Sequence, residues 1–244
     1  MIVPVLVAAL CAHALLQVAP APKHDTAIQT LPARALHDAG RLASRGPLTS
    51  LAIGGAMAAL AHPEDSRIVT AFKAEGTPEE SLDGGSIIGD GWIQGGAAAG
   101  VYAIGLLAHR DGAAELGSEL LEAQAINGVL TQGLKYAVNR TRPNGGRYSF
   151  PSGHTSATFA TADIFEQRFG WKIGVLAYAG ATYVLLSRLG EHAHYPSDTL
   201  FGAAVGIASA RSVVTEHRRL ALKGFVVVPV VAQGGAMILL TRSR

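Results

Sequence analysis

The sequence predicts an all-α fold, a bundle of helices with a small β-hairpin at its C-terminal end. Three observations point there. Apolar segments of helical length follow one another, separated by short stretches of proline, glycine and charge. Hydrophobic residues make up 49% of the chain but aromatics only 6%, and the 29 glycines with many alanines suit helices that pack closely, in water or in lipid. A strand-like pattern is confined to the C-terminal end. At 244 residues the chain has room for one domain with a substantial core. The 20 Lys+Arg against 18 Asp+Glu leave a net charge of +2, too even to argue for electrostatic binding to nucleic acid.

Residues 1–21, MIVPVLVAALCAHALLQVAPA, carry an apolar run followed by small residues and read as a secretory signal, so the expected location is the periplasm or cell envelope. The basic start of such a signal is missing, and an uncleaved N-terminal anchor is the alternative. Cys11, the only cysteine, lies inside this run; its removal would leave no thiol for disulfides or cysteine catalysis. Residues 22–47 are polar and contain proline. TSLAIGGAMAALA (49–61) reads as a helix stopped by Pro63, and residues 64–90, with the breakers GTPEE and LDGG, as a short helix followed by a loop. GWIQGGAAAGVYAIGLLAH (91–109) has no acidic or basic residue apart from His109 and approaches the ~20 residues that span a bilayer.

A long helix is expected over 114–141, where no proline occurs until Pro143. The next starts at Pro151-Ser152 and runs to about Phe169, WKIGVLAYAGATYVLLSR (171–188) is another, and Pro196 opens one more through Val213. FVVVPVV and AMILLTR flank Gln233-Gly234-Gly235 as a hairpin, in which Pro229 places its strand at an edge. The chain thus divides into a signal or anchor (1–21), an N-terminal extension with the first helices (22–86), a helical core (87–213) and a tail with the hairpin (214–244). Apolar stretches of roughly 15–19 residues lie in the overlap between long core helices and short spans, which leaves integral membrane insertion open.

Three polar clusters interrupt the apolar chain, each at an expected helix end. In KYAVNRTRP (135–143), Lys135 and Arg142 are spaced to fall two turns apart on one helix face, with Arg140 pointing elsewhere; such cations also pair favourably with a helix C-terminal dipole. In PSGHTS (151–156), Ser152 and Gly153 lie where free backbone N–H groups bind anions, and His154 can donate a proton, although the same residues make an ordinary N-capping turn. In SRLGEHAHYPSD (187–198), Arg188 ends one helix, and His194 and Asp198 bracket the start of the next. Asp198 can accept a proton from one ring nitrogen of His194 and leave the other as a nucleophile, or serve simply as a first-turn charge. His192 reads as a solvent-facing loop residue. A His-x-His metal site would lack an obvious third ligand nearby. Together the clusters supply three cations, N–H donors and two histidines, an inventory suited to phosphoryl transfer without a metal.

With these motifs the sequence resembles the type 2 phosphatidic acid phosphatases (PAP2), which share a site and a helical fold with bacterial acid phosphatases and vanadium-dependent haloperoxidases. The family's Lys-x6-Arg-Pro is KYAVNRTRP, its Pro-Ser-Gly-His is PSGH, and its Ser-Arg-x5-His-x3-Asp is SRLGEHAHYPSD. The resemblance covers residues 87–213. It implies that His194 attacks phosphorus to form a phosphohistidine, Asp198 orients it, and His154 protonates the leaving alcohol. Lys135, Arg142, Arg188, Ser152 and the Gly153 amide would hold the phosphoryl oxygens. Only NGGRYSF separates Arg142-Pro143 from PSGH, shorter than in many members, which bears on the substrate-facing loop rather than the chemistry. The expected activity is hydrolysis of a lipid phosphate or a small phosphate ester with no cofactor, vanadate acting as inhibitor. The alternatives are a haloperoxidase that keeps vanadate as cofactor, and a non-catalytic membrane or binding protein. Oligomeric state is not legible.

Overall fold

The structure, a computed structural model, describes residues 26–74 and 84–213 and the strands of the C-terminal tail. The signal or anchor reading of residues 1–21 lies outside the described residues. The chain divides into two units, Met1–Val213 and Val214–Arg244.

The first unit is helical. The polar stretch before residue 47 contains α1 (Leu31–Gly40), with a proline in its first turn, and a short 3-10 turn at Arg41–Ala43. This helix was not legible because its partners are remote: Arg34 reaches Glu122 at 2.9 Å. α2 (Arg45–Ala61) ends where Pro63 enters a 3-10 turn, and α3 (Asp65–Ala74) follows at once. A loop was expected up to residue 90, but α4 (Gly84–Ile88) forms within it. Its glycines allow close approach, since a Cβ on Gly85 would stand 2.1 Å from Ser187 Oγ. α5 (Gly91–Leu107) is capped by Asp90, whose carboxylate accepts from Trp92 N at 2.8 Å and Ile93 N at 3.2 Å.

α6 (Asp111–Val138) stops earlier than its sequence suggests. Asn139 adopts a left-handed conformation (φ 47°), a role Asn fills more readily than most residues, and the helix ends there rather than near Pro143. α7 (Gly153–Phe169) is capped by Ser152 and terminated by Gly170 at φ 81°, with the cis Phe150–Pro151 bond just ahead of the cap. α8 (Trp171–Gly190) and α9 (Pro196–Val213) complete the unit.

α6, α7 and α9 pack on one another at the centre, with α5 against α6, α8 against α7 and α2 against α9. Close approach of α9 to α7 depends on glycine, because a Cβ on Gly206 would lie 2.1 Å from Ser156 O. At one end of this core a buried ionic layer joins helices: Arg168 bonds Glu119 at 2.7 Å and Glu115 at 3.2 Å, and Asp163 accepts from Tyr178 at 2.8 Å and Arg211 at 3.3 Å. The opposite end carries the three polar motifs.

In the second unit, β1 (Ala221–Leu222), β2 (Phe225–Ala232) and β3 (Gly235–Arg242) form an antiparallel sheet in the order β1-β2-β3. The hairpin register runs from Phe225↔Arg242 to Ala232↔Gly235. β2 is central in that order, yet β1 pairs only with Phe225 and Val226, so at Pro229 the described pairing is to β3 alone.

Candidate active site

Four helix ends converge here: the C-termini of α6 and α8 and the N-termini of α7 and α9. Ser152 N donates to Asp198 O at 3.0 Å, tying the α7 cap to α9, and His194 N donates to Arg188 O at 3.3 Å, tying the loop after α8 back to that helix. Lys135 on α6 donates from Nζ to Tyr148 O at 2.7 Å, and a Cβ on Gly153 would lie 3.7 Å from Lys135 Cε.

His194 occupies the loop between α8 and α9 and is 2% exposed. Its Nδ1 stands 3.9 Å from Asp198 Oδ2, beyond hydrogen-bond length, and has no hydrogen-bond partner among the described residues. Burial, reinforced by Lys135 and Arg142 and opposed by Asp198, brings its pKa down to about 4, so the ring is neutral at pH 7. A neutral imidazole has a nitrogen lone pair available for attack.

Asp198 is fully buried. Its Oδ2 accepts from Ser149 Oγ at 2.5 Å and Tyr195 N at 2.9 Å, and its Oδ1 accepts from Arg140 Nη1 at 2.7 Å. Burial pushes its carboxyl up, but His194, Ser149, the Tyr195 amide and Arg140 outweigh this and hold it below the usual carboxylate range.

His154 lies half-buried in the first turn of α7. Burial lowers its pKa to about 4, helped by Arg188, His194 and Arg142 and opposed by Asp90. Arg188 and Arg142 define a pocket of positive potential, and an anion placed there would offset their effect and favour protonated His154. Burial and Arg142 likewise push Lys135 down to about 8. Ser152 is fully buried and its Oγ accepts from the Thr155 hydroxyl at 3.0 Å. Arg188 is buried and ion-paired to Glu191.

All eight expected residues therefore lie at this one end of the bundle. The route differs for Arg142: α6 has ended at Val138, so Arg142 does not share a helix face with Lys135. It sits in a turn closed by Arg142 N to Gly146 O at 2.8 Å, and its Nε donates to Arg147 O at 3.0 Å. His192 is not the solvent-facing residue expected. It is half-buried at φ 53°, and its Nε2 is enclosed without a hydrogen-bond partner among the described residues.

Sequence reasoning missed Arg140, Ser149 and Asp65. Arg140 had a signal in its neighbour Arg142, but a helix ending at Val138 turns it toward Asp198 rather than away. Asp65 had none, since the Ser197 it binds is 132 residues distant in sequence.

Residues 144–220 match the model of the PAP2 superfamily, a span that includes the second and third motifs and follows the first. The lipid A 1-phosphatase of Porphyromonas gingivalis is 38% identical over 94 residues, 37% of this chain and 21% of that protein. The chain thus aligns with about a fifth of the curated relative's length. The crystal structure of a transmembrane PAP2-type phosphatidylglycerolphosphate phosphatase from Bacillus subtilis superposes with a TM-score of 0.58 at 20% identity, over 69% of this chain and 94% of that one. That likeness is one of fold. The segment that carries the second and third motifs is thus similar to the PAP2 superfamily, and the helical architecture around it is that of a PAP2-type structure.

Proposed function

We propose that the protein is a phosphatase that hydrolyses a phosphate monoester or pyrophosphate carried by a lipid, through a phosphohistidine on His194 and without a metal. The observation that carries this reading is a buried, neutral histidine placed beside an ionised aspartate and within the field of Lys135 and Arg142. With Nδ1 directed to Asp198, the Nε2 lone pair attacks phosphorus in line with the leaving oxygen. The N–P bond forms as the P–O bond breaks, and His154 gives its proton to the departing alkoxide. Lys135, Arg142, Arg188 and the Gly153 amide stabilise the charge on the equatorial oxygens, the work a divalent cation does elsewhere. Water then attacks phosphorus, His154 takes its proton, inorganic phosphate leaves and His194 is restored.

A lipid substrate is supported by the likeness to the lipid A 1-phosphatase and by the apolar outer faces of the bundle. Those faces also favour membrane association, in the cell envelope. The test uses the purified full chain with phosphatidate in mixed micelles, assayed for released phosphate and for acid-labile phosphoenzyme after a quench. The wild type should release phosphate, resist EDTA and be inhibited by vanadate, a mimic of the five-coordinate transition state. His194→Gln should lose at least about 1,000-fold in kcat and form no phosphoenzyme. Full activity in His194→Gln would overturn the mechanism.

A further inference from the structure

We propose that Arg140, held from behind by Asp65, is a positioning residue that fixes the Asp198 carboxylate against His194. The inference rests on the phosphohistidine reading above and adds to it a layer assembled from three remote segments: the start of α3, the loop after α6 and the first turn of α9.

Asp198 presents Oδ2 to His194, so the direction of its carboxylate depends on what holds Oδ1. That partner is Arg140, whose Nη1 donates to Oδ1 at 2.7 Å and to Ser197 Oγ at 2.8 Å. Its Nη2 donates to Asp65 Oδ2 at 2.7 Å, and its guanidinium lies over the Tyr195 ring at 4.1 Å from the centroid. Asp65 is itself buried, 2% exposed, and its two oxygens accept from Ser197 N at 3.0 Å and Ser197 Oγ at 2.5 Å. The result is a row of carboxylate, guanidinium and carboxylate running from Asp198 through Arg140 to Asp65, with Ser197 in the first helical turn bonded to both Arg140 and Asp65.

Both Nη atoms of Arg140 are bound to carboxylates, which distinguishes it from Arg142 and Arg188, which bind no more than one carboxylate among the described residues. Its charge acts on Asp198. A planar guanidinium that gives one nitrogen to each of two carboxylates is fixed far better than a lysine in such a place, and a buried carboxylate stripped of its cation either takes up a proton or turns toward another donor. For Asp198 that donor is Ser149, and either outcome removes the group that orients the His194 ring.

The charged or titratable groups facing Asp198 are Arg140, Lys135 and the neutral His194, and those facing Asp65 are Arg140 and His62, the last at 3.1 Å. Arg140 is the cation bonded to the Asp198 carboxylate, so its loss shifts ionisation of Asp198 to higher pH. Activity that requires the carboxylate then fades at higher pH on the acid limb.

The experiment measures kcat, KM and the acid limb of kcat for Arg140→Gln, Arg140→Lys and Asp65→Asn, using phosphatidate in mixed micelles. Arg140→Gln is expected to lower kcat about tenfold to a hundredfold with KM held within about twofold, and to move the acid limb upward by about half a pH unit or more. Arg140→Lys should recover part of both, and Asp65→Asn should shift both in the same direction by less. A folded Arg140→Gln with wild-type kcat and acid limb would overturn the proposal, as would a rise in KM at constant kcat, which would make Arg140 a substrate ligand. If Arg140→Gln fails to fold, unaltered acid limbs in both Arg140→Lys and Asp65→Asn overturn it instead. His194→Gln in the same assay separates the two levels. Its inactivity beside a normal Arg140→Gln defeats this inference alone, whereas its activity defeats the phosphohistidine reading.

Discussion

His154 and His194 are both held near pKa 4 by burial and by the cations around them, well below the usual value of 6.5. The same circumstance that leaves a ring nitrogen free has a cost in stability at low pH. In the unfolded chain these rings take up protons from pH 6.5 downward, while in the folded protein they do so only near pH 4. The unfolded state therefore binds more protons across that window. The contribution of neutral histidine is complete above pH 6.5 and is lost as the pH falls toward about 4. The slope is at most about 1.4 kcal/mol per pH unit for each ring. Unfolding followed from pH 7 to 4.5 should show wild-type stability falling more steeply than that of His194→Gln, which has no ring to protonate. Parallel curves would mean that His194 titrates alike in both states.

At the scale of the helices, what was readable in sequence was local. Pro196 in the first turn of α9 and Ser152 at the cap of α7 announce their helices because the signals lie within one turn of the events they cause. The three motifs were readable for the same reason, each being a short run at a helix end. The end of α6 was not, because Asn139 in a left-handed conformation is a choice that the surrounding structure makes and an asparagine merely permits. Likewise α1 and α4 are set by contacts with Glu122 and Ser187 that no local pattern reveals. Gly206 belongs to this second class. Its lack of a side chain lets α9 approach Ser156 O, to which an added Cβ would come within 2.1 Å, and Ala160 N, within 2.9 Å. Both are backbone atoms of α7, the helix whose first turn carries Gly153 and His154, so neither can step aside alone. Gly206→Ala should destabilise the protein by about 1–3 kcal/mol, seen as a lower Tm, and reduce kcat as α7 shifts against α9. Unchanged stability would show that the two helices have slack between them.

For the molecule as a whole, the question is what surrounds the bundle. The central helices α6, α7 and α9 bury their polar groups against one another, while the outer helices turn large apolar residues outward: Ile53, Met57 and Leu60 on α2, Ile93, Ile104 and Leu107 on α5, and Val175 and Leu176 on α8. α8, the described helix long and apolar enough to cross a membrane, has 20 residues, or about 30 Å at 1.5 Å per residue, the thickness of a bilayer's hydrocarbon core. Trp92, 90% exposed, opens α5 at the end that carries the polar motifs, and Trp171, 68% exposed, opens α8 at the other, so an exposed indole ring stands at each end of the bundle, the levels at which a bilayer around it would meet water. With the outer helices against acyl chains, the cationic pocket would lie near the headgroup level, where a lipid phosphate reaches it without leaving the membrane. Cells expressing the full chain should therefore retain it in membranes washed with alkaline carbonate. In reconstituted vesicles, brominated lipids should quench Trp fluorescence, and Trp171→Phe and Trp92→Phe should each remove part of the quenched signal. Release by carbonate together with unquenched tryptophans would assign the apolar faces to another protein surface and the active site to a soluble phosphate ester.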